Sequence, residues 1–338
     1  MANIRQIAKE ANVSPSTVSR VLNNDPTLSV TPKTRRRVER AAEALNYVKV
    51  DRKNNLIGIV TAVSSEQEID SAYYRDIKRA IVEELENLKL KFDKTILLSA
   101  DRDSLEIDEI RSWSGVMIIG SLTPDAITGI KKLNSNIVIV DDRYFDNDID
   151  VVHSNLTSAT VEVLELLAKN GAKAITFVGG QRILTDLEGN RTLSEREARL
   201  MAYQRWMRHN QLQKLEQAYL TGWSIEAGLE AAKEILKKPK RPDAILAAND
   251  SLAIGVLRGL HQGGIHAPGD IQIASFDDSE MAKFFVPSLT TVHIPAEQLG
   301  RVSAHVLNDR LNGWREVASD TALATKLIVR ESTKKHHE

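Results

Sequence analysis

Two hydrophobic rhythms divide this chain. Over the first 47 positions apolar side chains recur every three to four residues, which predicts short amphipathic helices. Ile4, Ile7, Ala8 and Ala11 form a first stripe after Asn3, a suitable N-cap, and Asn12 and Val13 make a turn. Ser14 caps a second helix with Pro15 at its first position, where a missing N–H costs nothing, and Val18, Val21 and Leu22 supply its inner face. Asn23-Asn24-Asp25-Pro26 ends it. Thr31 and Pro32 repeat the same start for a third helix, in which Val38, Ala41, Ala42 and Leu45 face inward while Arg35 to Arg37 sit near the exposed beginning. Helices this short are not stable alone, so the three must share one core.

From Leu56 the rhythm changes to short apolar runs alternating with longer amphipathic segments, the pattern of parallel sheets covered by helices. Strands are predicted at 56–63, 94–98, 115–120, 136–140, 174–179, 218–221, 244–248 and 271–276, with a last one at Thr321 to Ser332. Helices are predicted between them, among others at 73–90, 158–170, 195–210, 224–236 and 250–262. That is enough material for two sheets. The polar stretch VKVDRKNN from Val48 separates the helical and α/β parts as a linker.

Charge sharpens this division. The whole chain carries 45 basic and 46 acidic side chains, yet its first fifty residues hold nine Lys/Arg against four acids, a net +5 that leaves −6 for the rest. A small polyanion-binding module on an acidic body is expected. The absence of cysteine excludes disulfides, thiolate metal sites and a cysteine nucleophile. The start MANIRQIAKE has charges where a signal peptide needs an apolar core, and no apolar run reaches the ~20 residues of a membrane span, so a cytoplasmic protein is expected.

Enzyme motifs do not appear: there is no GxxxxGK[ST], no GxGxxG after a strand, no HExxH and no GxSxG. Gly179-Gly180 reads as a tight strand exit, and the terminal His336-His337 as a solvated tail. Neither metal nor cofactor is expected. The strongest local signal is VSPSTVSRVLNN, residues 13–24, which fits a helix-turn-helix whose second helix enters the major groove. Ser16, Thr17 and Arg20 lie on its forward face, and Arg20 is able to make a bidentate contact to guanine. Ser14, Ser19 and Asn23 suit phosphate oxygens, and Tyr47, at the end of the module, is counted on the DNA side.

The run IRQIAKEANVSPSTVSRVLNN followed by TPKTRRRVERAAEALNYV resembles the DNA-binding headpiece of the lactose/galactose repressor (LacI/GalR) family of bacterial regulators. The likeness continues through GVMIIG, IVIVDDR, ITFVGG, AILAANDSLAIGVLRGL and DIQIASFDDSEMAKFFVPSLTTVHIPAEQLG, nearly the whole chain. Within the family, EQEIDSAYYRDIKRAI is most similar to galactose-type repressors and to the repressor of the evolved β-galactosidase operon.

The resemblance implies a headpiece at 1–47, a linker at 48–55, and a two-lobed effector domain at 56–338 like a periplasmic sugar-binding protein, with a small ligand in its cleft. The chain would cross three times, giving lobe 1 about 56–155 and 291–318 and lobe 2 about 156–290 and 319–332. Asp141, Asn249 and Asp277, each following a strand, are the implied hydrogen-bonding groups for a sugar, whereas Asp142, Asp250 and Asp278 beside them read as helix caps. The family places an arginine on the helix around EREARLMAY, for which Arg196 and Arg199 are both candidates. Tyr73, Tyr74 and Trp223 are candidates for stacking on a sugar, although Tyr73 also continues the Ile77, Ile81, Leu85 stripe and Trp223 equally suits a core.

Between Tyr47 and Leu56 the Arg-x-Leu pattern of the family's hinge helix is missing, and Lys49, Arg52 and Lys53 suit phosphate contacts instead. The expected protein is a repressor that binds a near-palindromic operator as a homodimer and is released by galactose, lactose or a related galactoside. A regulator that binds DNA better with its ligand, such as a purine or a phosphoprotein partner, is the alternative. A galactoside-hydrolysing enzyme would need two carboxylates across one sugar ring, for which no motif speaks.

Overall fold

A computed structural model describes residues 4–22, 25, 28–45, 55–63, 72–99, 104–143 and 148–334. The headpiece consists of α1 (Ile4–Glu10), α2 (Pro15–Leu22) and α3 (Pro32–Ala44). Ile7, Ala8, Ala11, Val18, Val21, Val38, Ala41 and Ala42 close its core, the positions that the helical spacing singles out. Ser14 Oγ accepts from the Thr17 N–H at 3.1 Å and Thr31 Oγ1 from the Thr34 N–H at 3.2 Å, so both predicted caps satisfy otherwise orphaned donors. Asn3 lies outside the described residues.

The body is two α/β lobes. Lobe 1 contains β1 (Leu56–Thr61), α4 (Ala72–Asn87), β2 (Lys91–Leu97), β3 (Gly115–Ile119), α5 (Pro124–Leu133), β4 (Ile137–Val140) and β5 (Asp150–Ser154). Lobe 2 follows with α6 (Leu156–Lys169), β6 (Ile175–Gly179), a two-stranded arm of β7 (Arg182–Thr185) and β8 (Arg191–Ser194), α7 (Ala198–His209), β9 (Gln217–Leu220), α8 (Ile225–Leu236), β10 (Ala244–Ala247), α9 (Asp250–Gln262), β11 (Gln272–Asp277), α10 (Glu280–Phe284) and β12 (Thr290–His293). The chain returns to lobe 1 for α11 (Ala296–Asn312) and β13 (Asp320–Leu323), then ends in lobe 2 with β14 (Lys326–Ile328).

The sheets run β13-β5-β4-β3-β1-β2 and β14-β12-β11-β10-β6-β9. All pairings within them are parallel except β12–β14. Central strands such as β3 and β4 are buried along their whole length, which is why they read as unbroken apolar runs rather than alternating ones. In lobe 2, α8 and α9 approach so closely that a Cβ at Gly228 would lie 2.2 Å from the Leu252 carbonyl oxygen; only glycine fits there.

Two expectations are corrected. The predicted last strand, 321–332, is divided: β13 joins lobe 1 and β14 joins lobe 2, with Ala324 and Thr325 between them. β12, whose first residue lies just inside the expected lobe boundary, pairs along its whole length with β11. The second crossing therefore falls at Ile294–Pro295, not 291, and the third at 324–325, not 319. Hydrophobicity could not locate these crossings, because a strand is equally apolar whichever sheet it joins.

Candidate functional site

Apart from β14 the strands of each lobe's sheet are parallel, so their carboxyl ends collect at one edge, where open α/β sheets bind ligands. From lobe 1, Asp141 follows β4 and Tyr73 opens α4; the tyrosine hydroxyl donates to Asp141 Oδ1 at 2.6 Å. Tyr73 therefore extends the apolar stripe of its helix with its ring and leaves it with its oxygen. Tyr74 packs edge-on against it, ring centroids 5.3 Å apart.

From lobe 2 the centre is Arg199, on the first turn of α7. Its guanidinium carbon lies 5.1 Å from the Trp223 ring and 5.6 Å from the Phe276 ring, a cation between two aromatic faces. Nε donates to Glu197 at 2.8 Å and Nη1 to the Ala248 carbonyl at 2.7 Å. Glu197 is itself buried, and its other oxygen caps α7 at the Leu200 N–H. Arg196, by contrast, is exposed and its backbone N–H bonds Ser194 Oγ. The structure thus brings Arg199, and not Arg196, to the strand ends.

Asp277 completes the group. Burial, reinforced by the charge of Asp250, pushes its carboxyl up to about 7 against the pull of Arg199. Asp141 is also pushed up to about 7, again mainly by burial, opposed by the Tyr73 hydroxyl and by Arg199. Arg199 acting on Asp141, and Asp141 on Asp277, place residues of the two lobes within electrostatic reach of each other. Among the described residues no side-chain hydrogen bond engages the Asp277 carboxylate. Asp141, Asp277 and Asp278 all hold positive φ (+64°, +106° and +56°), a conformation that non-glycine residues rarely adopt and that clusters at binding sites.

The neighbouring polar residues divide differently from the sequence expectation. Asn249 is the cap of α9: its Oδ1 accepts from the Leu252 N–H at 2.8 Å, and its Nδ2 donates to the Trp223 carbonyl at 3.0 Å. Three expected caps are not caps. Asp250 is buried and accepts from Ser275, Thr291 and the Ser279 N–H; Asp142 pairs with Arg182; Asp278 pairs with Arg330. Gly180 is more than a strand exit, because a Cβ there would sit 2.3 Å from Trp223 Nε1, and the indole donates to the Gln181 carbonyl at 3.2 Å. Glu197, Phe276 and Gly180 escaped sequence reasoning, since a buried glutamate, a strand phenylalanine and a loop glycine carry no local mark of a site.

On the headpiece, Ser14, Ser16 and Arg20 are exposed while Thr17 and Ser19 are half-buried on α2. Arg20 Nε donates to Asp25 Oδ2 at 2.7 Å. Asn23, Tyr47, Lys49, Arg52 and Lys53 lie outside the described residues. Arg36, Arg37 and Arg40 are exposed on α3.

Two family models match the chain: the lacI family of bacterial regulatory proteins over residues 3–49, and a periplasmic binding protein-like domain over 164–333. The transcriptional regulator GalR of Streptococcus thermophilus is 34% identical over 99% of this chain and 100% of its own length. The transcriptional repressor MelR of Bacillus subtilis is 30% identical over 98% of this chain and 97% of its own. The chain belongs to the LacI family. Its fold is also that of the Lac repressor, solved bound to ONPG in the repressed state, with a TM-score of 0.70 at 24% identity over 98% of this chain and 99% of that one. This LacI-family protein is accordingly a DNA-binding transcriptional regulator, with the helix-turn-helix part matched at 3–49 as its DNA-binding part. Among the described residues no helix is long and apolar enough to cross a membrane.

Proposed function

We propose that this regulator is a cytoplasmic, homodimeric repressor that holds a near-palindromic operator through two headpieces and releases it when a galactoside-type sugar enters the cleft. The observation that carries the reading is the constellation of Trp223, Arg199, Asp141 and Asp277. An indole face, a fixed guanidinium and two carboxylates with spare hydrogen-bonding capacity suit a neutral, hydroxyl-rich ring, which stacks its C–H face and spends its hydroxyls on the polar groups. Tyr73 and Tyr74 border the same cleft, and Asn249 holds Trp223 from behind.

On the DNA side, Ser14 and Ser19 serve phosphates while Ser16, Thr17 and Arg20 face base edges. Two-fold operator symmetry follows from a two-fold dimer. Met281, Phe284 and Val286, 56%, 74% and 89% exposed, form an apolar patch on lobe 2 that suits a second copy of this chain. Sugar acts by binding one relative arrangement of the lobes better than the other, a coupling of about 1–3 kcal/mol.

The test is fluorescence anisotropy on a duplex from the gene's own upstream region at fixed salt, with galactose, lactose and a purine added in turn. Release by a galactoside is the expected result. Tighter binding with the purine, or no response to either sugar, overturns the inducer reading.

A further inference from the structure

The arm formed by β7 and β8 springs from lobe 2 between β6 and α7, yet its contacts lie on lobe 1. Thr185 forms a parallel bridge with Leu122, just beyond β3, closed by Thr185 N–H to the Ser121 carbonyl at 3.1 Å and Thr123 N–H to the Thr185 carbonyl at 3.0 Å. Thr185 is buried. At the tip, Leu187 joins the outer core of lobe 1 and lies against α5, where a Cβ at Gly129 would be 2.6 Å from its Cδ1. At the base, Arg182 donates through Nε to Ser121 Oγ at 3.0 Å and through Nη2 to Asp142 at 2.5 Å.

We infer that residues 182–194 are a strap fastening lobe 2 to lobe 1 beside the cleft, and that Arg182 is a positioning residue for the candidate sugar site, acting through Asp142. The three crossings of the main chain allow the lobes to pivot. A fourth connection, built from paired backbone and a core leucine, cannot slide continuously, because packed leucine and β-bridge geometry are either formed or broken. Opening of the cleft on the α5 side therefore requires Leu187 to leave lobe 1. Asp142 adjoins Asp141 and bears on the charge of Asp141 and Tyr74, so the strap's base touches the site while its tip holds the lobes. The role of Arg182 rests on the cleft reading above; the mechanical role does not.

The chain has no cysteine, so paired spin labels at Lys132→Cys on α5 and Glu226→Cys on α8 report the interlobe distance without background. In the full-length protein without sugar, one narrow distance is expected. Arg182→Ala and Leu187→Ser are expected to add a longer-distance population, and Leu193→Ser, which alters an exposed leucine of the same arm, to leave the distribution unchanged. Hydrogen exchange at the Thr123 and Thr185 amides is expected to rise at least tenfold in the first two variants, with β6 and β10 unaffected. A further variant, Gly129→Cys/Leu187→Cys, when oxidised, is expected to keep the single short distance even with Arg182→Ala added. Unchanged distances and unchanged exchange at Thr123 in both strap variants overturn the proposal. A lengthened distance with a normal galactose response overturns only the role of Arg182 at the site.

Discussion

Replacing Asp277 with Asn should stabilise the sugar-free protein at alkaline pH while impairing its response to sugar. The folded protein holds a proton on Asp277 up to about pH 7, whereas the unfolded chain releases it near pH 4. The folded state therefore binds more protons across that window, and stability falls as pH rises through it. A carboxyl moved from its usual 3.8 to about 7 lowers stability by up to about 4 kcal/mol above pH 7, and the partial solvent exposure of Asp277 reduces this to about 1–2 kcal/mol. Asparagine carries no such penalty, and no described hydrogen bond to the carboxylate is lost. For lobes of this size the gain corresponds to about 2–6 °C in melting temperature. Calorimetry at pH 8 should show that rise, and at pH 5 less than half of it. In operator-release titrations, the galactose concentration needed should increase at least tenfold. An equal melting difference at both pH values would refute the electrostatic argument, and an unchanged galactose requirement would remove Asp277 from the site.

Other consequences are open to equally direct measurement. Arg199→Met keeps a chain of similar length between Trp223 and Phe276 but removes the charge; sugar response should be lost with operator affinity within twofold of the parent, and retained induction would exclude Arg199 from ligand contact. Arg20→Ala should cost about 1–3 kcal/mol of operator binding at one base position, read by competition with single-base operator variants; equal loss on every sequence would reduce Arg20 to a phosphate contact. Asp150 is fully buried, and Arg310 and Arg315 hold its carboxyl below the usual range despite burial, which alone would raise it. Its stabilisation is present above pH 4 and lost as pH falls below, so Asp150→Asn should cost about 3 kcal/mol in urea denaturation at pH 7 and progressively less towards pH 3; a cost independent of pH would contradict the ion-pair account.

The headpiece was almost wholly legible in the sequence. Its caps, stripes and turn are properties of a few consecutive residues, and Ser14, Thr31 and the Val18/Val21 face sit where local chemistry puts them. The parallel strands were legible for the same reason: buried on both faces, they are apolar throughout. β5, β7, β8 and β12 were not anticipated, because each is only four or five residues long, and β7 and β8 form an exposed or half-buried hairpin without the continuous apolar run that marks the buried strands. The sugar-site candidates Asp141 and Asp277 could be proposed from strand ends, yet their raised carboxyl groups depend on burial that no neighbouring residue announces.

What the sequence alone determined is therefore whatever follows from spacing along the chain: the two-part division, the helix-turn-helix, the α/β class and the identity of the family. Tertiary structure decided among residues with the same local chemistry. It chose Arg199 over Arg196, because the first turn of α7 lays Arg199 between Trp223 and Phe276 while Arg196, ahead of the helix, faces solvent. It made Asn249 the cap and Asp250 a buried acceptor, since Ser275 and Thr291 arrive from other strands. It carried Leu187 from one lobe into the core of the other. In each case the deciding energy is a desolvation or a packing contact between segments far apart in sequence, and such energies exist only once the chain has folded.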